Sequence, residues 1–313
     1  MPEVQKTKMT PKDFFLHVGM VVTLYWSAIT LITLWFEYIN RLFPDPLQAF
    51  IDPFSGAIRF AMASLIIIFP LYIIITRYLN QEIRKHPEKR NLGIRKWLIY
   101  VTLFVAGVTI VVDLIVLINA FLGGDLTTRF LLKVFVVFVV IGDVFLYYFL
   151  DLKGKWERER KLSVTIGWVI SIIVLASIIS GFFIIGSPMT QRDLRFDREK
   201  VQDLSSIQFQ ITNFWQEKDR LPEDLSELED PLVGFIVPTD PQTDEEYGYS
   251  VISARTFELC ATFNQESLEG DPNIARFEFG LRDENWAHGV GETCFERTID
   301  PDRFPPIKVA PIR

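Results

Sequence analysis

Two acidic residues stand inside long apolar stretches, where an ionised side chain is costly. Asp113 lies in LIVVDLIVL and Asp143 in VVIGDVFLYY. A carboxyl group within a bilayer is a candidate for a proton or ion pathway, or for a contact between helices. The competing interpretation is a neutral carboxyl that hydrogen-bonds to the next helix and orders the bundle. From their positions we expect the two side chains to lie about 10 Å apart in depth, too far to share a proton.

The chain has two cysteines, Cys260 and Cys294. An even pair in an oxidising compartment favours a disulfide, and the alternative is a pair of buried thiols. The three histidines, His17, His86 and His288, fall in separate regions, so they add no ligands to a zinc site built on cysteines. We therefore expect a disulfide and no metal centre of that kind.

Signatures of common enzyme classes are absent from the sequence. It has no G-x-S-x-G nucleophile turn, no G-x-x-x-x-G-K phosphate loop, no H-E-x-x-H motif and no C-x-x-C pair. The sequence therefore predicts no catalytic residue and no cofactor. The formal net charge is −7, and residues 187–313 are strongly acidic. This argues against nucleic acid as a partner, because nucleic acid binding requires a basic surface.

The elements that carry these residues divide into two chemically different parts near residue 187. Before it, five stretches approach or exceed the roughly 20 apolar residues that a membrane-spanning helix needs. Pro70 interrupts the second stretch, but a membrane helix tolerates proline when its neighbours satisfy the freed carbonyl. The first stretch is too long and too aromatic for a cleaved signal peptide, and Thr10-Pro11 is a good helix start. The five predicted spans are 14–39, 60–79, 97–122, 130–150 and 163–186.

The loops between the spans differ in charge, and this difference predicts orientation. Lysine and arginine concentrate in residues 1–13, 80–96 and 152–162, whereas loops 40–57 and 123–129 contain only Arg41 and Arg129. Basic loops stay in the cytoplasm, so we expect a cytoplasmic N-terminus and an extracytoplasmic C-terminal part. Binding of anionic membrane lipid is a secondary interpretation for the second basic loop. Its basic residues are Arg84, Lys85, Lys89, Arg90, Arg95 and Lys96.

The C-terminal part is predicted to be an α+β domain over 187–299, followed by a proline-rich tail over 300–313. A stripe of apolar residues predicts an amphipathic helix over about 190–219. Leu225 and Leu228 indicate a second, short helix. The segment 256–263 alternates as a half-buried strand does and is expected to pair with 247–252. Further strands are predicted around 277–281 and 294–299. The helical stripe consists of Leu194, Val201, Leu204, Ile207, Ile211 and Phe214.

The order of motifs in this part resembles the globular body of type II secretion pseudopilins and type IV pilins. An amphipathic helix with D-L-x-x-I-Q is followed by L-P-x-x-L-x-x-L, V-P-x-D-P-x-T, Y-x-Y-S and the strand FELCATF. The resemblance covers about residues 192–263 and implies a helix packed on a small antiparallel sheet. The chain lacks the G-F-T-L-I-E type sequence at which prepilins are processed. The first four predicted spans weakly resemble an uncharacterised bacterial multi-helix membrane domain.

The pseudopilin resemblance also implies a calcium-binding loop near the sheet. The oxygen donors available there are Asp240, Asp244, Glu245 and Glu246. Because no ligand spacing matches, a solvated acidic turn is the simpler interpretation of these residues.

Together these features predict a multi-pass protein of the bacterial cytoplasmic membrane that presents a pilin-like domain outside. The first functional hypothesis is a non-catalytic interaction or scaffold protein, for which the pilin-like domain suggests a link to pilus or secretion assembly. Its partner would be another envelope protein or a second copy of the chain. The alternative is a small transporter or channel component that uses Asp113 and Asp143.

Overall fold

The computed structural model describes residues 9–43, 56–124, 126–229, 234–267 and 285–306. Its contacts divide the chain into two compact units, Met1–Ile185 and Gly186–Arg313. We call them the helical unit and the C-terminal unit.

The helical unit contains five helices that are long and apolar enough to cross a membrane, as the sequence predicted. The described connections between them include a 3-10 helix, Pro87–Asn91, and a one-turn helix, α5 (Lys155–Arg158). The long helices are α1 (Pro11–Leu42), α2 (Gly56–Lys85), α3 (Gly93–Gly123), α4 (Thr128–Leu152) and α6 (Arg160–Ile185).

Local sequence explains where α1 begins and why α2 continues past its proline. The Thr10 side chain accepts a hydrogen bond from the Asp13 backbone, and the Asp13 carboxylate accepts one from the Thr10 backbone. This capping box satisfies two of the amide groups that a helix start leaves without partners. Helix α2 runs unbroken through Pro70, as expected for a proline within a helix bundle.

Helix α1 is the central helix of the unit and packs against α2, α3, α4 and α6. One apolar cluster joins α1, α2 and α6, and another joins α1, α3 and α4. In the first cluster the Trp35 indole donates to the Ser177 hydroxyl over 2.8 Å, and the Tyr38 hydroxyl donates to the Ser177 carbonyl over 2.6 Å. A Cβ atom at Gly181 would collide with the ends of the Met62 and Tyr38 side chains, so a larger residue there would force these side chains to shift.

The C-terminal unit is a long helix on a three-stranded antiparallel sheet. The helix, α7 (Pro188–Lys218), is followed by a 3-10 turn at Leu225–Leu228. The strands β1 (Gly248–Val251), β2 (Thr256–Phe263) and β3 (Gly291–Thr298) lie in the order β1-β2-β3.

The core of this unit lies between one face of α7 and the inner face of the sheet. Leu204, Ile207 and Ile211 of α7 are fully buried, as are Phe257 and Leu259 of β2. At the end of the helical stripe the structure differs from the prediction, because Trp215 is buried and Phe214 only partly so. Both residues fit the helical period, and the larger indole occupies the core position.

Two parts of the sequence prediction fall partly or wholly outside the described residues. The strand expected around 277–281 lies outside them, as do residues 307–313 of the tail. The start of the tail is described as a turn at Asp300, from which Phe304 packs against the core.

Candidate functional site

Asp113 is buried in the helical unit. It lies on the face of α3 that also carries Thr102 and Ala106, and it is 9% exposed. Its Oδ2 atom is buried and has no hydrogen-bond partner among the described residues. A buried oxygen of this kind is costly unless the group is neutral or a ligand satisfies it, so Asp113 is the strongest candidate for chemistry within the bundle.

Asp143 is placed differently from Asp113, because its side chain is exposed on the surface of α4. No hydrogen bond or ion pair reaches it from the part of the chain that the structure describes. The structure therefore does not bring the two carboxyl groups together in one buried site.

A polar network closes the end of the bundle at which α1 begins and α2 ends. Lys89 Nζ lies 3.1 Å from Asp13 Oδ1 and 2.9 Å from Glu82 Oε1, so one ammonium group bridges α1 and α2. The hydrogen bond to the Glu82 carboxylate raises the pKa of Lys89. Nearby, Lys12 donates to the Tyr78 hydroxyl. The Asp13 carboxylate also caps α1, so this carboxylate stabilises both the helix start and the contact between helices.

His17 lies one turn after Asp13 and is almost fully buried. Its Nδ1 atom donates to the Asp13 backbone carbonyl over 2.7 Å, because a carbonyl oxygen can only accept. Its Nε2 atom is buried and has no partner among the described residues. Lys89 and Arg95 are the cations close enough to influence the ring. In the neutral ring, Nε2 presents a lone pair that can accept a hydrogen bond or a proton.

The six basic residues of the predicted lipid-binding loop have different roles in the structure. Lys89 forms the network above, and Arg95 pairs with Asp151 over 2.7 Å, which ties α3 to the end of α4. Arg90 is partly buried, with its guanidinium close to Gly154. Only Arg84, Lys85 and Lys96 are exposed, so these three are the cations best placed to meet a lipid surface.

In the C-terminal unit the predicted disulfide is present. Cys260 of β2 and Cys294 of β3 are directly opposed in the sheet and are bonded to each other. Glu258 lies close to both sulfur atoms. This group is not a metal centre, because both sulfurs are consumed in the bond and neither is a thiolate.

The acidic turn is organised around a buried lysine. Lys200 Nζ lies 2.8 Å from Asp240 Oδ2 and donates to the Thr262 carbonyl over 2.7 Å. The side chains of Asp244, Glu245 and Glu246 are exposed. Among described residues, these carboxylates do not converge into a cluster able to hold a metal ion. The Asp240 carboxylate is therefore paired with the Lys200 ammonium.

Other polar groups on α7 attach it to the strands. The Asp197 carboxylate accepts from the backbone amides of Asn264 and Gln265 over 2.9 and 2.8 Å. Asp203 Oδ2 accepts from the Tyr247 hydroxyl over 2.7 Å. Burial raises the pKa of Asp203, an effect that the Tyr247 hydrogen bond partly opposes. Burial also raises the pKa of Tyr247, with the Asp203 contact adding to it.

A further buried cation connects α7 to β3 and the segment before it. The Arg297 guanidinium donates to Gln208 Oε1 over 3.0 Å and to the Asn285 carbonyl over 2.8 Å, and it lies 4.4 Å from the centre of the Trp286 ring. Trp286 is itself buried in the core. These hydrogen bonds and the contact with the Trp286 ring explain how the Arg297 guanidinium is stabilised in a buried position.

An open pocket of about 440 Å³ lies between the end of α7 and the end of β1. Its apolar walls are Leu221, Pro222 and Val251, and Arg220 at its rim pairs with Glu227 over 2.7 Å. None of the lining residues forms a nucleophile paired with a base, so the pocket has no hydrolytic constellation.

Comparison with known proteins gives one match. Residues 13–148 match the model of a family described as a domain of unknown function (DUF5671). The matched region contains α1 to α3 and most of α4, in agreement with the resemblance of the first four spans to an uncharacterised membrane domain. No curated protein and no solved structure matches the chain.

Proposed function

We propose that this chain is a membrane-anchored interaction protein without catalytic activity. Five helices hold it in the cytoplasmic membrane of a bacterium, and the C-terminal unit faces outward to bind another envelope protein. The observation that carries the proposal is the combination of five span-length apolar helices with a separate, disulfide-bonded α+β unit. No catalytic constellation assembles among the described residues of either unit.

Charge and redox chemistry support the outward placement. The exposed cations Arg84, Lys85 and Lys96 lie at the end of α2 and the start of α3, beside the connection that the positive-inside bias retains in the cytoplasm. An odd number of crossings then places the C-terminal unit outside, where a disulfide is stable.

The surface of the C-terminal unit supports protein binding rather than nucleic acid binding. It is acidic in sequence, and it exposes large apolar side chains at Phe209, Ile236 and Val290. Its helix-on-sheet architecture agrees with the pilin-like body expected from the sequence. A pilus or secretion assembly is therefore the class of partner that we propose.

The test is site-specific photo-crosslinking of the full-length chain in native membranes. A photoreactive residue at Phe209 or Val290 should capture a defined envelope protein, and the same residue at Lys85 should not. Failure to capture any protein at the C-terminal unit would overturn the interaction role.

A second candidate function is supported by Asp113. The buried Asp113 oxygen has no partner among the described residues and lies in the middle of an apolar helix, so it is suited to carry a proton or a cation through the bundle. In vesicles containing the purified protein, Asp113→Asn should abolish proton or cation flux, with Ser180→Ala as a matched control in an exposed position of α6. No flux with the unmodified chain, or equal flux with Asp113→Asn, would exclude this function.

A further inference from the structure

Asp143 lies deep within the length of α4 and has no hydrogen-bond or ionic partner among the described residues. It lies nine residues before the end of α4 and fifteen after its start, which corresponds to about 14 and 22 Å of helix rise. An aspartate side chain is too short to reach either surface of the bilayer over such distances, unlike the longer lysine and arginine chains. With the membrane placement proposed above, its exposed carboxyl group faces hydrocarbon.

Five serine and threonine hydroxyl groups on the outer surfaces of these helices are satisfied within their own helix, and Asp143 differs from them. Each hydroxyl donates to a carbonyl one turn earlier, so lipid can cover these positions without cost. Asp143 has no corresponding partner among the described residues. The satisfied pairs are Thr33 to Ile29, Thr109 to Val105, Thr165 to Lys161, Ser171 to Gly167 and Ser180 to Ala176, over 2.7 to 2.9 Å.

The surroundings of Asp143 suit a helix contact. Phe135, Val139, Leu146 and Leu150 lie on the same side of α4 and are exposed or partly exposed. Their spacing around Asp143 follows the pattern of a helix–helix seam. Gly142 adjoins it, and a side chain added there would meet open space, so a neighbouring helix can approach closely.

We propose that this face of α4, which we call the Asp143 seam, is the interface between two copies of the chain in the membrane. A neutral carboxyl group is both donor and acceptor, so two Asp143 side chains related by a two-fold axis can satisfy each other. The seam is therefore self-complementary, as a two-fold interface requires. A second copy also supplies this partner at the same depth and in the same orientation. The inference rests on the membrane placement above but not on any activity or outside partner.

The test uses cysteine cross-linking of the full-length chain in native membranes. The chain has no free cysteine among its described residues, so an introduced thiol reports its own contacts. Leu146→Cys on the seam and Val112→Cys on α3 are a matched pair, because the native side chains are 53% and 51% exposed. Mild oxidation should give a cross-linked dimer with Leu146→Cys and little with Val112→Cys.

Two further changes test the role of the carboxyl group. Asp143→Leu, which lipid tolerates well, should lower the dimer-to-monomer ratio about three- to twentyfold, the range measured for hydrogen bonds between membrane helices. Asp143→Asn keeps a donor and an acceptor and should retain the dimer. Equal cross-linking at positions 146 and 112, an unchanged ratio with Asp143→Leu, or capture of a different protein by Leu146→Cys would overturn the interface. Release of the chain by alkaline carbonate would instead overturn the membrane placement, and the seam with it.

Discussion

Lys200 is almost fully buried, and its ammonium group contacts both the Asp240 carboxylate and the Thr262 carbonyl. Lys200→Met would keep most of the packing volume but leave the Asp240 carboxylate without its cation. We expect a loss of about 3–5 kcal/mol in the free energy of unfolding of the C-terminal unit. Hydrogen–deuterium exchange of α7 and β2 peptides in the full-length chain measures it. The double variant Lys200→Met/Asp240→Asn should recover part of the loss, and a cost below about 1 kcal/mol for the single change would contradict the buried-pair assignment.

Asp203 gives a prediction about pH. Because its pKa is raised in the folded chain, folding favours its protonated form. Its contribution to stability is therefore complete below the ordinary aspartate pKa of about 3.9 and is lost as the pH rises through the folded pKa. Between pH 7 and about 4, the unfolding free energy of the unmodified chain should rise relative to that of Asp203→Asn. Peptide-level hydrogen exchange at several pH values checks this, with Glu217→Gln at an exposed position of α7 as control. A constant difference across this range would contradict the prediction.

The packing of α7 on the sheet can be tested by comparing substitutions at a buried and an exposed position of this helix. Ile207 is fully buried in the core, whereas Phe209 is 64% exposed. Ile207→Ala should destabilise the C-terminal unit by about 2–5 kcal/mol, because it removes buried methyl groups and leaves a cavity. Phe209→Ala should change stability by less than about 0.5 kcal/mol. Exchange of β2 peptides should separate the two variants, and similar losses from both would contradict the assignment of the buried face.

The lysine network at the end of the bundle supports a similar comparison. Lys89 bridges Asp13 and Glu82, whereas Lys85 is exposed. In detergent, Lys89→Met should lower the melting temperature of the helical unit by about 2–4 °C, the shift expected for about 1 kcal/mol in a domain of this size. Lys85→Met should leave it unchanged. Equal changes in melting temperature for the two variants would mean that the contacts of Lys89 with Asp13 and Glu82 contribute no more to stability than an exposed lysine does.

Most of the helices and strands could be predicted from the periodicity of the sequence. The polar contacts between distant residues could not. The five apolar helices, α7 and the pairing of β1 with β2 follow from runs and alternations that are local in sequence. The Lys89 network joins residues 76 positions apart, and Lys200 reaches the end of β2 across 62 positions. In the sequence Asp13 and Lys89 look like ordinary charges near helix ends, and Lys200 looks like a charge on the polar side of an amphipathic helix. The one local hint was the Asp13–His17 spacing of four on the first turns of α1, where a polar pair precedes an apolar run.

The same limit applies to Asp113 and Asp143. Their presence within apolar stretches was evident, but sequence alone could not tell which faces the bundle and which faces outward. That distinction depends on how α3 and α4 rotate about their axes when they pack. In the structure, Asp113 is buried in the bundle and Asp143 lies on its surface.

For the whole molecule, the proposed membrane placement raises the question of which side of the membrane each unit occupies. Cysteine reporters answer it, because the native pair is bonded and should not react. Ser206 on α7 and Lys85 near the basic loop are both exposed. In intact cells, a membrane-impermeant maleimide should label Ser206→Cys, whereas Lys85→Cys should react only after the membrane is permeabilised.

Each alternative pattern in this experiment has a distinct meaning. Labelling of Lys85→Cys alone in intact cells would reverse the orientation and place the acidic unit in the cytoplasm. Labelling of both reporters would mean that the number of crossings between residues 85 and 206 is even. Without reduction, the unmodified chain should not react even when the cells are permeabilised. Its labelling would show free thiols at Cys260 and Cys294 and remove the redox argument for an outside location, because that argument depends on the disulfide forming in the cell.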